Sequence, residues 1–332
     1  MLHILNGGST EATLAQTPIA GKRFSFRDAL IDGPAPANKT ETEWLKLRAA
    51  HLSSAYGVAV EECELGLVRQ EEVFGSYVDH DEVVLWFEAD LFCQTNLLYV
   101  LDWFARRDLQ ETQLSLICIG EFPGRPKFRG LGELSPDELA SLFEKRVRVN
   151  DNVFELAGTA WQAYRSNDPR AIEQLIAHDT SSLQFLKPAF RLHLERFPFA
   201  RNGLGRIENR GLELMSKGRN RFADLFPAFI ESEAGYGLGD SQFWNAMLRL
   251  ARARQPLARS NNDDAPAGSL TPDQIHATSY EITEMGRAVL NGAADHVEMN
   301  GIDLWLGGVH LTDTSPLYRW DEQNGKLVVS QF

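Results

Sequence analysis

The chain has 332 residues, 43% hydrophobic and 24% charged, the make-up of an ordinary globular protein of about two domains. Its net charge of −13 opposes nonspecific attraction to nucleic acid, and no apolar run approaches the roughly 18 residues needed to span a bilayer. Three cysteines, Cys63, Cys93 and Cys118, without a C-x-x-C pair, argue against a disulfide framework and a thiolate zinc site. The cysteines read as reduced thiols, and the polar N-terminus lacks the basic start of a signal peptide, so the expected location is cytoplasmic.

Residues 2–5 (LHIL) read as a short buried strand. Asn6-Gly7-Gly8-Ser9-Thr10 follows as a tight loop into a helix that Ser9 or Thr10 would cap. A second strand is predicted at 22–26, then a loop at 28–36 marked by Gly-Pro. A helix at 40–56, a buried strand at 82–87 (EVVLWF), a helix through 90–107 and a strand at 113–119 complete the alternation. The pattern predicts an α/β domain over residues 1–150, a mostly parallel sheet with flanking helices.

Ser135-Pro136 opens the next helix, and helices are predicted at 152–164, 168–178 and 183–197. Three more, at 206–216, 222–232 and 240–254, are joined by short turns. A polar loop at 260–269 precedes a strand at 276–282, a short helix at 283–290 and a tail hairpin turning at Asn324-Gly325. Residues 151–332 therefore read as a mainly α-helical domain, with a winged-helix-like module and a C-terminal hairpin.

The stretches HILNGGST at 3–10, RDALIDGP at 27–34 and WFEADLFCQTNLLYVLDWF at 86–104 resemble a bacterial family known as domain of unknown function 1835. WLGGVHL at 305–311 and RWD at 319–321 resemble the C-terminal end of its longer members. The resemblance covers most of the chain in scattered blocks. It implies no established activity and assigns no catalytic roles. Members often carry Gly-Asp-Ser where this chain has Gly7-Gly8-Ser9, and Asp-Gln where it has Cys93-Gln94.

Three polar groups are candidates for chemistry. Asn6, Gly7, Gly8, Ser9 and Thr10 stand between a strand and a helix, a context in which backbone N–H groups and the helix dipole hold anions. The competing reading is a tight turn in which glycine supplies φ > 0. Asp28 and Asp32 are candidate general bases, or turn residues bonded to their own backbone. Trp86, Glu88, Asp90, Gln94 and Asn96 crowd the passage from the third strand into a helix, the preferred site for a ligand pocket. There Asp90 competes as a plain helix cap and Gln94 as a solvent-facing residue. Glu88 and Asp90 join Asp28 and Asp32 as catalytic candidates.

No G-x-G-x-x-G, Walker lysine or histidine–carboxylate spacing identifies a cofactor or metal. His3 and His310 read as core residues. Two functions remain open. One is an enzyme or binder of a small anionic, phosphorylated or nucleotide-like ligand at the sheet edge. The other is a regulatory or adaptor protein contacting DNA or a protein partner through residues 185–260, which hold 13 basic and 7 acidic side chains.

Overall fold

The computed structural model describes residues 1–266, 268–314 and 316–330. β1 (Leu2–Asn6), α1 (Gly8–Leu14) and β2 (Lys22–Phe26) open the chain, followed by a two-residue strand, β3 (Gly33–Pro34). Two helices packed on one another come next, α2 (Glu41–Tyr56) and α3 (Val60–Gly75). Then β4 (Glu82–Glu88), α4 (Leu91–Ala105), β5 (Gln113–Ile119), α5 (Pro136–Phe143) and β6 (Val147–Arg148) complete the front half. The sheet order is β2-β1-β4-β5-β6, with only β6 antiparallel. This is the mostly parallel sheet with flanking helices that the alternation predicts.

Burial on both faces explains why β4 reads as a continuous apolar run. Val83, Leu85 and Phe87 join the core under α2 and α4, whereas Val84 and Trp86 join a smaller core under α1 and α5. α2 starts at a Thr40–Glu43 capping box and stops at Gly57 in the left-handed conformation. Its Trp44 stacks on Tyr99 of α4. Helix α3 is absent from the sequence reading. Its buried Cys63, Leu67 and Val73 hold a helical stripe, but exposed Leu65 and Val68 blur the apolar period.

The direction of strand addition reverses at β1, because β2 lies on one side of it and β4 on the other. The carboxyl ends of β1 and β4 therefore flank a topological switch point, where sheets of this kind hold ligands.

α6 (Asp151–Arg165), α7 (Arg170–Ile176) and α8 (Leu186–Leu194) follow. Trp161, Ile172 and Phe190 belong to the same core as the sheet, so packing is continuous across residue 150. α9 (Arg206–Ser216), α10 (Phe222–Glu233) and α11 (Asp240–Arg252) build a second core, into which Ile31 and Leu91 of the front half reach. β7 (Ala258–Ser260) pairs antiparallel with β8 (Tyr280–Ile282), with α12 (Pro272–His276) between them. The strand predicted at 276–282 thus begins four residues later, because Thr271 and Pro272 start a helical turn that runs to His276.

α13 (Glu284–Leu290) and α14 (His296–Asn300) lead to a strand-rich end. The single predicted tail hairpin is two: β9 (Asp303–Gly307) with β10 (Val309–Thr312), and β11 (Leu317–Asp321) with β12 (Lys326–Ser330). β9 also pairs with β3, and Arg319 bonds Asp295 at 2.6 Å, so the tail is stitched to both halves. Among the described residues no helix is long and apolar enough to cross a membrane.

Candidate functional site

Three segments singled out from the sequence meet at Asn96, which is fully buried on α4. Its Nδ2 donates to Asn6 Oδ1 at 2.8 Å and to the Asp28 carbonyl at 3.1 Å, and its Oδ1 accepts from Leu30 N at 3.2 Å. Asn6 Nδ2 in turn donates to Cys93 Sγ at 2.7 Å, and the thiol donates to Glu88 Oε2 at 2.9 Å. One hydrogen-bonded chain therefore runs from the loop after β2, across the end of β1, to the end of β4. An asparagine suits this junction because its amide donates and accepts at once.

The two aspartates of the 28–34 loop are held by arginines. Asp28 is buried and pairs with fully buried Arg48 at 2.6 Å. Asp32 binds Arg196 of the helical half at 3.2 Å and accepts from the Tyr56 hydroxyl at 3.2 Å. Both carboxylates are engaged by side chains of other elements, and neither lines the large cavity described below.

Helix α1 begins at Gly8, with Gly7 at φ 112° before it and no side-chain cap, so neither Ser9 nor Thr10 caps. Glycine is required there by its positive φ. Thr10 is buried, and Ser9 is exposed with Gly132 packed against it. Trp86 is fully buried beneath the sheet, where its Nε1 donates to His3 Nδ1 at 3.2 Å. It packs in the core on the face away from α4 and does not line the cavity described below.

Glu88, Asp90 and Gln94 are where the strand end becomes a site. Asp90 caps α4, accepting from Cys93 N at 2.8 Å. Gln94 is buried, not solvent-facing: its Nε2 donates to the Glu88 carbonyl at 2.7 Å and to Cys118 Sγ at 3.3 Å. Glu88 Oε1 accepts from Leu131 N at 2.9 Å.

Glu88 and Asp90 lie on the wall of a cavity of ≈ 980 Å³ at the carboxyl ends of β4 and β5. The opposite wall comes from far along the chain: Phe185 and Leu192 flanking and within α8, Phe226 and Ile230 of α10, and Gly237 beyond it. Glu121, Phe128 and Arg129 form the side after β5. Gly237, at φ 65°, passes directly over Asp90 Oδ1 with no room for a Cβ. Gly237→Ala is therefore expected to cost about 2 kcal/mol or more, combining left-handed strain with displacement of the Asp90 carboxylate. A urea-unfolding midpoint unchanged from the parent would refute this contact.

Burial, then the charge of Asp90, pushes Glu88 up to about 7. Burial also raises Asp90. Cys93 rises well above its ordinary value through burial, then Asp90 and Glu88, so its thiol keeps the proton it donates to Glu88. Ligand atoms of Glu88, Asp90 and Cys93 lie within 4.8 Å of one another, a possible metal-holding set that the sequence spacing does not announce. Cys93 is nevertheless outside the cavity wall and engaged on both sides, by Asn6 and Glu88.

The residues missed by sequence reasoning are those of the far wall. Phe185, Ile230 and Gly237 sit about 100 positions or more from Glu88, and nothing in local periodicity marks them as its neighbours. No protein-family model matches the chain, and no curated protein is significantly similar to it.

Proposed function

We propose that the protein binds a small molecule in the cavity at the carboxyl ends of β4 and β5, and that Glu88 exchanges a proton with it. The observation that carries this reading is a carboxyl group held near neutrality on the inner wall of a ≈ 980 Å³ cavity. A group poised near pH 7 serves equally as general acid and general base. Cys93, Asn6 and Leu131 N fix its orientation, the support an acid–base group requires. The charge of the wall runs against the anionic ligand first expected. Glu88, Asp90 and Glu121 face the cavity, and Arg129 is the sole basic side chain among its described lining.

The back half supports a winged-helix reading. α9, α10 and α11 precede the β7–β8 pair, and Arg221, between α9 and α10, bridges to Ser279 beside β8. The adaptor reading through DNA has weaker support. Gln242 and Asn245 of α11 dock on Tyr56 and Ala55 at the end of α2. Arg206, Arg210 and Arg249 pair with Glu233, Glu213 and Glu208, and Arg252 and Arg254 donate to backbone carbonyls. The helix that would enter a groove is occupied by its own protein.

The test is a thermal-shift screen of the full chain against amines, amino acids, nucleotides, sugar phosphates and a short duplex DNA. Stabilisation by one small-molecule class, lost when Ile230→Trp fills the cavity, is the expected result. Stabilisation by DNA alone, fading as salt rises, would replace this reading with the adaptor role.

A further inference from the structure

Resting on the cavity assignment above, we infer that the ligand is an organic cation, an amine with an apolar body, whose charge sits against Asp90 and Glu88. The inference begins with what the two carboxyls lack. Asp90 Oδ1 accepts from Cys93 N, and Glu88 accepts from Leu131 N and the Cys93 thiol. All of these partners are neutral. Elsewhere in the molecule the buried acids Asp28 and Glu233 have arginine partners, Arg48 and Arg206. Enclosed carboxylates without a cation are costly, and a ligand ammonium would supply the missing charge.

The remainder of the wall suits the rest of such a ligand. Phe185 packs its ring edge on Gly120, beside Ala89 and therefore one residue from Asp90, and Phe128 and Phe226 line other parts of the cavity. Aromatic faces accept both an apolar body and an adjacent cation. Arg129, the basic residue of the lining, is exposed, whereas Glu88 is only 8% exposed. The most buried charge of the wall is thus that of Glu88, which draws a cation inward, whereas Arg129 and Glu121 are both exposed. A metal ion fits less well, because the third donor of the set, Cys93, lies behind the wall with its hydrogen bonds made.

The experiment compares three probes of one shape: 2-phenylethylamine, 2-phenylethanol and phenylacetate. Each is titrated into the full chain at pH 8 and followed by calorimetry and melting temperature. The amine is expected to bind at least tenfold more tightly than either analogue. Asp90→Asn should remove that preference without altering the far-ultraviolet dichroism, and Ile230→Trp should remove binding of all three. Tighter binding of phenylacetate would overturn the cationic class and leave the cavity assignment standing. Binding of nothing in this set or in the wider screen would overturn both. Stabilisation by Zn²⁺ at lower concentration than by the amine, abolished in Cys93→Ser, would put a metal in place of the organic cation.

Discussion

Arg48→Met is expected to destabilise the protein by about 3–5 kcal/mol, the cost of leaving a buried charge without its partner. Arg48 is fully buried and holds Asp28 through Nε and Nη2 at 3.2 and 2.6 Å. It also donates to the carbonyls of Asp32 at 2.8 Å, Ala29 at 3.0 Å and Pro34 at 3.2 Å. One guanidinium thereby supplies hydrogen bonds to three carbonyls of a buried segment that is mostly loop and pairs as a strand only at Gly33–Pro34. Asp28→Asn should cost less, because the carbonyl contacts survive in it. The double variant Asp28→Leu/Arg48→Met should recover part of the loss, since no unpaired charge remains, but not the part owed to the three carbonyls. Urea unfolding with a constant m-value measures all three. A cost below about 1 kcal/mol for Arg48→Met would mean that water replaces the guanidinium and that the loop is not held as described.

The same residue shows what is legible in the sequence and what is not. The sheet can be read because its information is local: LHILN and EVVLWFE are buried strands wherever they fall, and Asp90 and Ser135 begin helices by their own chemistry. The gathering of Asn6, Asp28 and Asn96 follows from parallel topology, which puts the ends of β1, β2 and β4 at one edge. Arg48, by contrast, falls on the same helical face as Trp44, Leu45 and Leu52, where its charge has no partner within reach of local rules. Only the folded loop of residues 28–34 gives it a partner. For Trp86 the polar neighbours in sequence suggest a ligand wall, and the period-2 alternation of β4 turns it to the opposite face from Phe87. The cavity was beyond reach for a third reason. Its far wall is recruited from α8 and α10, and no short-range rule specifies how distant helices dock on a strand end.

The helical half repeats this lesson in charge. Its excess of basic side chains suggests a polyanion surface, yet in the fold those arginines serve as internal fasteners, Arg196 to Asp32, Arg206 to Glu233 and Arg249 to Glu208. A net charge over a segment counts side chains, whereas a binding field requires them to be free and on one face.

Replacing Glu88 by Gln is expected to make the protein more stable at alkaline pH and to leave it nearly unchanged in acid. Glu88 moves from its ordinary 4.5 to about 7 in the fold, chiefly through burial. Between those values the folded chain keeps a proton that the unfolded chain releases, so stability falls as pH rises through the window and levels off above 7. The shift corresponds to about 3 kcal/mol at most, at 1.36 kcal/mol per pH unit. Glutamine keeps an acceptor for Leu131 N and carries no charge, so the difference between variant and parent should grow from near zero at pH 4.5 to about 3 kcal/mol at pH 8.5. Parallel stability curves over that range would show that Glu88 is ordinarily ionised in the fold, and the acid–base role would go with it. A carboxyl that lowers stability at neutral pH is retained where its charge is used, which is the general trade between stability and function at active sites. The titration also connects to the ligand. An ammonium beside Glu88 restores the compensation it lacks, so saturating 2-phenylethylamine should draw its pKa back toward the ordinary value and flatten the parent curve toward that of the variant.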